Sequence, residues 1–354
     1  MKKTVLLAAF TLFMAASFAY NPPVGGENLY KLSSPVLISG GDSASGGPLF
    51  NVVPASISYN PALTATEQRT VVNLSGNVMF DTRDFSSSFG WGFQAGLTMP
   101  TKFMVFTGTV NGIFSGDGGL SIGNTIIVHA GIAKELLDNT YIGLNLYGGS
   151  YFSHGSDWSI GCDFGLLYKG EKSLGFLREP RIGLSVLNIG RSAGASYDVL
   201  GMDGSSDGTV FPGIITPRVS LGATILQTWG WKLGLSVDAS FPACQNAVFD
   251  LALGVSYNNL LEVNVGWQAN VRELSQGAKA NWPSIGLSCK ITLPSNSKKQ
   301  NDEWSQSEIV PSAAWQNMYG SVQNVSAGAT LYLGQEDNEA PEIYLWNEDL
   351  FGNR

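Results

Sequence analysis

Three groups of residues have types and spacings suited to chemistry. Gly119-Leu120-Ser121-Ile122-Gly123 carries the spacing of a nucleophile elbow, which needs a strand before it and a helix after it. Here it follows Gly116-Asp117-Gly118 and leads into another strand pattern, and only His129 and His154 are present as imidazole bases. Asp203, Ser205, Asp207 and Gly208 trace the first half of a calcium loop, but Ile214 stands where the bidentate Glu belongs. His129 has no partner ligand spaced near it and reads as structural. The cysteines Cys162, Cys244 and Cys289 are odd in number and far apart, which suits small apolar side chains on strands rather than a disulfide framework or a zinc site. No catalytic residue, metal ligand or cofactor is expected, and the chain does not read as an enzyme.

The charges inside apolar segments are more informative. Asp163, Lys169, Arg218, Lys232, Asp238, Asp250, Glu262, Arg272 and Lys290 all fall on the polar phase of alternating segments. On the lipid face of a membrane strand near the midplane, an Arg or Lys would cost about 2–4 kcal/mol. A lumen-facing position avoids that. Lys232, Asp238, Asp250, Glu262 and Lys290 come from neighbouring segments and could pair as an ionic ladder. The alternative is a path for polar solute, because charge at membrane depth is a functional signal by default.

The elements that must position these charges are strands. Leu261, Val263, Val265, Trp267, Ala269 and Val271 alternate with Glu262, Asn264, Gly266, Gln268, Asn270 and Arg272. The same period of two recurs around Trp231–Ser240, Phe249–Tyr257 and Ile285–Leu293, and it places side chains on two faces as only a strand does. The second face is mostly Gly, Ser and Asn, which suits a crowded lumen better than open solvent. Fourteen such segments can be drawn, near 71–80, 90–99, 102–114, 124–134, 139–149, 157–169, 181–190, 214–226, 229–240, 246–257, 260–272, 283–293, 308–317 and 324–333. The thirteenth alternates poorly and contains Pro311. Trp91, Tyr147, Trp158, Trp229, Trp231, Tyr257 and Trp267 lie near segment ends, as in interfacial aromatic girdles. The fold expected is all-β: a transmembrane antiparallel β-barrel of about fourteen strands.

Composition and ends agree. The chain has 354 residues, 14% charged, with 43 glycines and a net charge of −8, which gives nucleic-acid binding no electrostatic support. Lys2 and Lys3, the apolar run Val5–Phe18, and Ser17 and Ala19 at a small-residue cut mark residues 1–19 as a cleaved signal peptide. Beyond Ala19 no apolar run approaches the roughly 18 residues of a membrane helix. Residues 20–69 are Gly-, Pro-, Ser- and Asn-rich and read as compact loop, with a turn or short helix near Asn60-Pro61. Residues 70–334 are the barrel, and 335–354 an acidic tail. With the N-terminus in the periplasm, Pro100-Thr101, Gln227-Thr228 and Asn258-Asn259 become inward turns and 191–213 the longest outward loop, although 294–307 is long for an inward turn. The tail is then periplasmic.

Asn60-Pro61-Ala62-Leu63, placed just before the first strand, resembles the Asn-Pro-Ala run in the N-terminal hatch of FadL-type outer membrane transporters. The likeness runs along most of the mature chain and is nearest to the poorly characterised FadL-like proteins of spirochaetes. It implies a barrel whose lumen holds an N-terminal hatch, residues 20–69, with Pro54, Asn60, Pro61 and Ala62 as hatch elements. It also implies passive uptake of a hydrophobic small molecule, a long-chain fatty acid above all, in the cell outer membrane, with membrane lipid and the barrel-assembly machinery as partners. This chain departs from the family at Leu63, where Gly is common, in having no acidic residue in 50–59, and in continuing past its last strand. A general diffusion porin for polar solutes and an interaction platform on loop 191–213 or the tail are the alternative readings.

Overall fold

The structure is a computed structural model. It describes residues 26–82, 89–115, 124–153, 155–171, 173–198, 205–209, 214–275, 279–293 and 307–334. Residues 1–19, expected as a signal peptide, the Gly119–Gly123 motif, His154, Asp203 and residues 335–354 lie outside those residues, as do the side chains of Ser205 and Asp207.

The chain forms strands β1 (Thr70–Asp81), β2 (Phe89–Pro100), β3 (Val105–Ser115), β4 (Asn124–Leu137), β5 (Thr140–Ser153), β6 (Gly155–Lys169) and β7 (Arg178–Arg191). A small hairpin of β8 (Gly194–Asp198) and β9 (Ser205–Thr209) follows on the longest connection. The wall resumes with β10 (Thr216–Thr228), β11 (Trp231–Ser240), β12 (Val248–Tyr257), β13 (Leu261–Asn270), β14 (Ser284–Cys289), β15 (Ile291–Thr292), β16 (Glu308–Met318) and β17 (Val322–Leu333). All wall neighbours are antiparallel, and β1 pairs with β17 from Thr70↔Leu333 to Asp81↔Val322, which closes the sheet. Strands β14 and β15 share one wall position, broken at Lys290, so the barrel has fourteen positions and one extra strand. Closure leaves no edge of unpaired amides.

Every expected strand is present. The weak thirteenth is β16, whose Pro311 sits in the ladder opposite Ala329 of β17. One boundary changes a residue's role. Strand β13 stops at Asn270, whose Oδ1 accepts the Glu273 amide at 3.2 Å, and Val271–Ser275 turns helical. Arg272 therefore lies on this turn and not on the strand where its phase had placed it: an asparagine at the start of a helical turn offers the cap that ends the extended run.

Four short connections, at 101–104, 138–139, 229–230 and 258–260, lie at one end of the barrel; the hairpin β8–β9 and the Val271–Ser275 turn mark the other, which also has short connections between β5 and β6 and at 319–321. These are called the turn end and the loop end. The connection between β15 and β16, 293–307, is the long exception at the turn end. Outward phases carry a belt of exposed Leu, Ile, Val and Phe, including Leu74, Leu146, Phe164, Leu221 and Leu287. A continuous belt far exceeds the apolar patch a soluble surface carries, and it suits lipid. Trp229, Trp231 and Tyr257 ring the turn end, and Trp91, Trp158 and Trp267 the loop end, all exposed. Tyr147 leaves the girdle. It is opposite His129 across β4–β5, on the inward phase of Asn145, and is buried in the lumen.

Residues 29–69 fill that lumen as a plug made of short helical turns, Leu37–Gly41, Pro54–Ser58 and Pro61–Thr66 among them. The plug enters at the loop end, where Leu29 and Leu32 pack on Met79, Met318 and Val322, and leaves at the turn end into β1. Its backbone lies almost in contact with inward-facing glycines. A Cβ on Gly183 would sit 2.0 Å from the Ala44 carbonyl oxygen, one on Gly234 2.0 Å from that of Pro48, and one on Gly143 2.3 Å from the Pro61 carbonyl carbon. Glycine is needed at these positions because the plug occupies the space a side chain would take.

Gly143→Val should therefore displace the plug or strain the wall and destabilise the folded barrel by about 1–3 kcal/mol, the usual range for overpacking. Gly148→Ala is the control, since its nearest new contact is 3.9 Å away. Urea unfolding in detergent micelles, followed by the gel shift between folded and unfolded barrel, would compare them; equal midpoints would refute the close packing.

Candidate functional site: the plugged lumen

The Asn60-Pro61-Ala62 run owes its position to a local cap and two wall glycines. Pro61 starts a helical turn, where its missing N–H is no loss. Asn60 is the cap: its Oδ1 accepts the Ala62 amide at 3.0 Å. Its Nδ2 donates to the Ala44 carbonyl at 2.7 Å and to the Leu166 carbonyl of β6 at 3.1 Å, tying plug to plug and plug to wall. The turn rests on Gly143 and Gly165, which are register partners across β5–β6. Pro54 begins another helical turn and rests on Gly96 of β2 in the same way.

An irregular segment cannot pair its own amides and carbonyls, so wall side chains pair them instead. Asp238 accepts the Ala44 amide at 2.8 Å. Ser185 donates to the Tyr59 carbonyl at 2.8 Å, Ser284 to that of Ile38 at 2.6 Å, and Asn324 to that of Leu32 at 3.2 Å. Arg181 Nη2 donates to the carbonyls of Gly47 and Pro48 at 3.0 and 3.2 Å.

The charges gather around this frame. Arg218 Nε donates to Asp238 Oδ1 at 2.6 Å, and its Nη2 lies 3.6 Å from Asp250, which also accepts from Gln268 at 2.7 Å. The Arg218 guanidinium stands 5.1 Å from the Tyr59 ring centre. On the plug, Lys31 Nζ meets Asp42 Oδ2 at 2.9 Å, both buried. Burial pulls the Lys31 pKa down, but the Asp42 and Asp250 carboxylates together outweigh it and the net direction is upward. Asp163 accepts from Asn145 and from the Asn188 amide, both at 2.6 Å, at a bulge between β6 and β7 where Asn188 takes a positive φ. Lys232 pairs with Glu179 at 3.1 Å, Lys290 with Glu308 at 2.9 Å, and Glu262 accepts from Asn51 of the plug at 2.7 Å. Lys169 lies 5.0 Å from the Phe50 ring centre.

Of the charges singled out in sequence, then, Arg218, Asp238 and Asp250 share one cluster, Lys232, Glu262, Lys290 and Lys169 line a common cavity at the turn end, Asp163 is apart and Arg272 is on its helical turn. The partners Lys31, Asp42, Arg69, Glu179, Arg181 and Glu308 were not anticipated. Arg181 was within reach, since it alternates with Ile182, Leu184 and Val186.

Two cavities near the middle of the plug hold about 10 and 40 Å³, room for single waters. A third, about 330 Å³, opens at the turn end between Phe50, Arg69, Lys169, Arg181, Lys232 and Lys290. At the loop end an apolar cluster joins plug to wall: Leu29 and Leu32 with Met79, Ile113, Ile127 and Val322, and with Tyr147 and Tyr151. A solute crossing the described lumen must displace part of the plug.

No family model and no curated protein matches the chain by sequence. Solved structures do match in fold. The deltaS2 mutant of the monoaromatic hydrocarbon channel TodX is 10% identical, with a TM-score of 0.51 over 87% of this chain and 100% of that one. The monoaromatic hydrocarbon channel CymD is 11% identical, with a TM-score of 0.50 over 88% and 100%. A FadL homologue of Pseudomonas aeruginosa is 12% identical, with a TM-score of 0.47 over 84% and 96%. The likeness to TodX and CymD is one of fold.

Arg218→Met removes the cation between two buried carboxylates. Leaving such a charge unpaired costs about 3–5 kcal/mol, so the variant should unfold at clearly lower urea concentration. Restoring neutrality with Asp238→Asn in the same chain should recover part of the loss. A single variant as stable as the parent would remove the cluster from the plug's anchorage.

Proposed function

We propose that this protein is an outer-membrane channel for hydrophobic solutes, with long-chain fatty acids as the substrate class, gated by residues 20–69 acting as a hatch. The observation that carries the reading is the plug's polarity along the barrel axis. Its middle is fixed by the Arg218–Asp238–Asp250 cluster and by Asn60. Its loop-end turn is held to the wall by apolar side chains, with Leu29 and Leu32 against Met79 and Val322, and by two hydrogen bonds, Ser33 to Asn77 and Asn324 to the Leu32 carbonyl. A hydrophobic solute can replace the apolar contacts one for one, because apolar contact is non-directional. The solute would thus compete with the plug for the wall. The monoaromatic hydrocarbon channels that share the fold support a hydrophobic solute by analogy; the fatty-acid class is the finer part of the proposal.

In this reading residues 1–19 direct export and are cleaved, the barrel-assembly machinery inserts the strands, and the turn end faces the periplasm. Asn60, Pro61 and Ala62 are the hatch's pivot, since they remain seated on Gly143 and Gly165 while the loop-end turn moves. The charge-lined cavity at the turn end favours a second reading, a path for polar solutes.

Binding of a fluorescent long-chain fatty acid to the refolded barrel in detergent separates the two. Saturable binding displaced by oleate, and tightened when residues 20–69 are deleted and their competition for the wall is lost, is the expected result. Planar-bilayer conductance for small ions with no fatty-acid binding would sink the hydrophobic channel and favour the polar one. A Leu32→Asn variant should tighten fatty-acid binding by about tenfold, because the solute then displaces a plug turn that has lost a buried apolar contact of about 1–3 kcal/mol.

A further inference from the structure

The cavity at the turn end is lined by five cations, Arg69, Lys169, Arg181, Lys232 and Lys290, against three carboxylates, Glu67, Glu179 and Glu262. The carboxylates are engaged: Glu179 by Lys232 at 3.1 Å, Glu67 by Arg69 at 3.0 Å, and Glu262 by Asn51 at 2.7 Å. Lys169 and Arg181 are left without an ion pair among the described residues, although they are register partners across β6–β7. Like charges directly opposite each other destabilise a sheet. Arg181 Nε has no acceptor, and both cations rest near the Phe50 ring, 5.0 and 4.8 Å from its centre. A counter-charge is therefore due at this mouth.

The same chain brings one there. Strand β17 runs to Leu333 at the turn end, and its Tyr332 lines the cavity. The Gly334 amide donates to Ser307 Oγ at 3.2 Å, which fixes the point where the acidic tail begins. Residues 335–354 contain six carboxylate side chains and one cation, Arg354. Three of the six, Glu336, Asp337 and Glu339, come within five residues of Gly334. Five extended residues span about 17 Å, enough to cross a cavity of about 330 Å³. We infer that Glu336–Glu339 folds back into the turn-end cavity and supplies the anion for Lys169 and Arg181. A carboxylate between the ammonium and the free Nε neutralises the opposed charges and satisfies the orphan donor, both with charge-assisted hydrogen bonds. The tail then covers the turn-end opening as the plug fills the middle of the lumen. This holds whichever solute the barrel carries.

Arg181 also holds the Gly47 and Pro48 carbonyls of the plug, so Lys169 is the residue to change. The full-length barrel, refolded in nonionic detergent at neutral pH and low salt, would be treated with a water-soluble carbodiimide. This reagent joins a carboxylate and an ammonium in contact as an amide, and the joined peptides are identified by mass spectrometry. An amide between Lys169 and Glu336, Asp337 or Glu339 is expected, and its yield should fall about tenfold at roughly 0.5 M salt, where such charges are screened. A tail variant, Glu336→Gln with Asp337→Asn and Glu339→Gln, leaves wall and plug unchanged. It should bind a synthetic peptide of residues 335–340 about tenfold more tightly than the parent does, because the parent's own tail competes at high effective concentration. Lys169→Gln in the tail variant should cancel that gain. Tail carboxylates joined only to Lys102 or Lys134, which lie outside the cavity, would overturn the inference, as would the absence of any Lys169 product. So would equal peptide affinity of parent and tail variant, or peptide binding indifferent to Lys169→Gln.

Discussion

A buried peptide segment without regular structure has amides and carbonyls that it cannot pair itself, and the lumenal face of this barrel is built around that constraint. Residues 29–69 lie where a channel would have water. Asp238, Ser185, Ser284, Arg181 and Asn324 complete their hydrogen bonding, and glycines of β5, β6, β7, β10, β11, β12 and β14 give way where the plug's chain comes close. The outward face of the same strands answers to lipid and is Leu, Ile, Val and Phe. One alternating sequence thus satisfies two solvents, one of them a stretch of the same protein.

The wall was legible because lipid and plug impose a period of two on residues read one at a time. Leu261 to Arg272 shows it without any partner being known. The plug's own position was legible only at Asn60-Pro61-Ala62, where a cap and a proline define a turn locally. Its seat on Gly143 and Gly165 was not, since those glycines look like any other small residue on the polar phase; which of them meet the plug depends on an irregular path. The charge pairs were missed for a related reason. The ladder expected within the wall used Lys232, Asp238, Asp250, Glu262 and Lys290, whereas Asp238 takes Arg218, Lys232 takes Glu179 and Lys290 takes Glu308. Pairing follows inter-strand register and side-chain reach, which alternation does not encode. Arg272 shows the limit at a strand end, where one asparagine cap overrides the phase.

Buried charge is distributed unevenly along the axis. At mid-depth it is closed on itself, as Arg218 with its two carboxylates and Lys31 with Asp42. Such closed sets fix geometry more than they add stability, because desolvation consumes most of their attraction. Toward the loop end apolar side chains and tyrosines dominate, with Asp81 and Glu273 among the buried groups; toward the turn end charge becomes abundant and includes Lys169 and Arg181, which make no ion pair among the described residues. The lumen therefore presents a graded environment, with its most rigid part between two ends that differ in polarity.

The seam between β1 and β17 sets the order of events by which such an object can arise. Its partners, Thr70↔Leu333 onward, come from the two ends of the wall, so every other strand precedes closure along the chain. The plug runs directly into β1, so it is tethered at the seam where the last hairpin meets the first strand. Pairing so distant in sequence carries a large loop-closure entropy and folds slowly. A plug that bonds to β6, β7, β11, β14 and β17 from within ties together strands that are far apart around the ring.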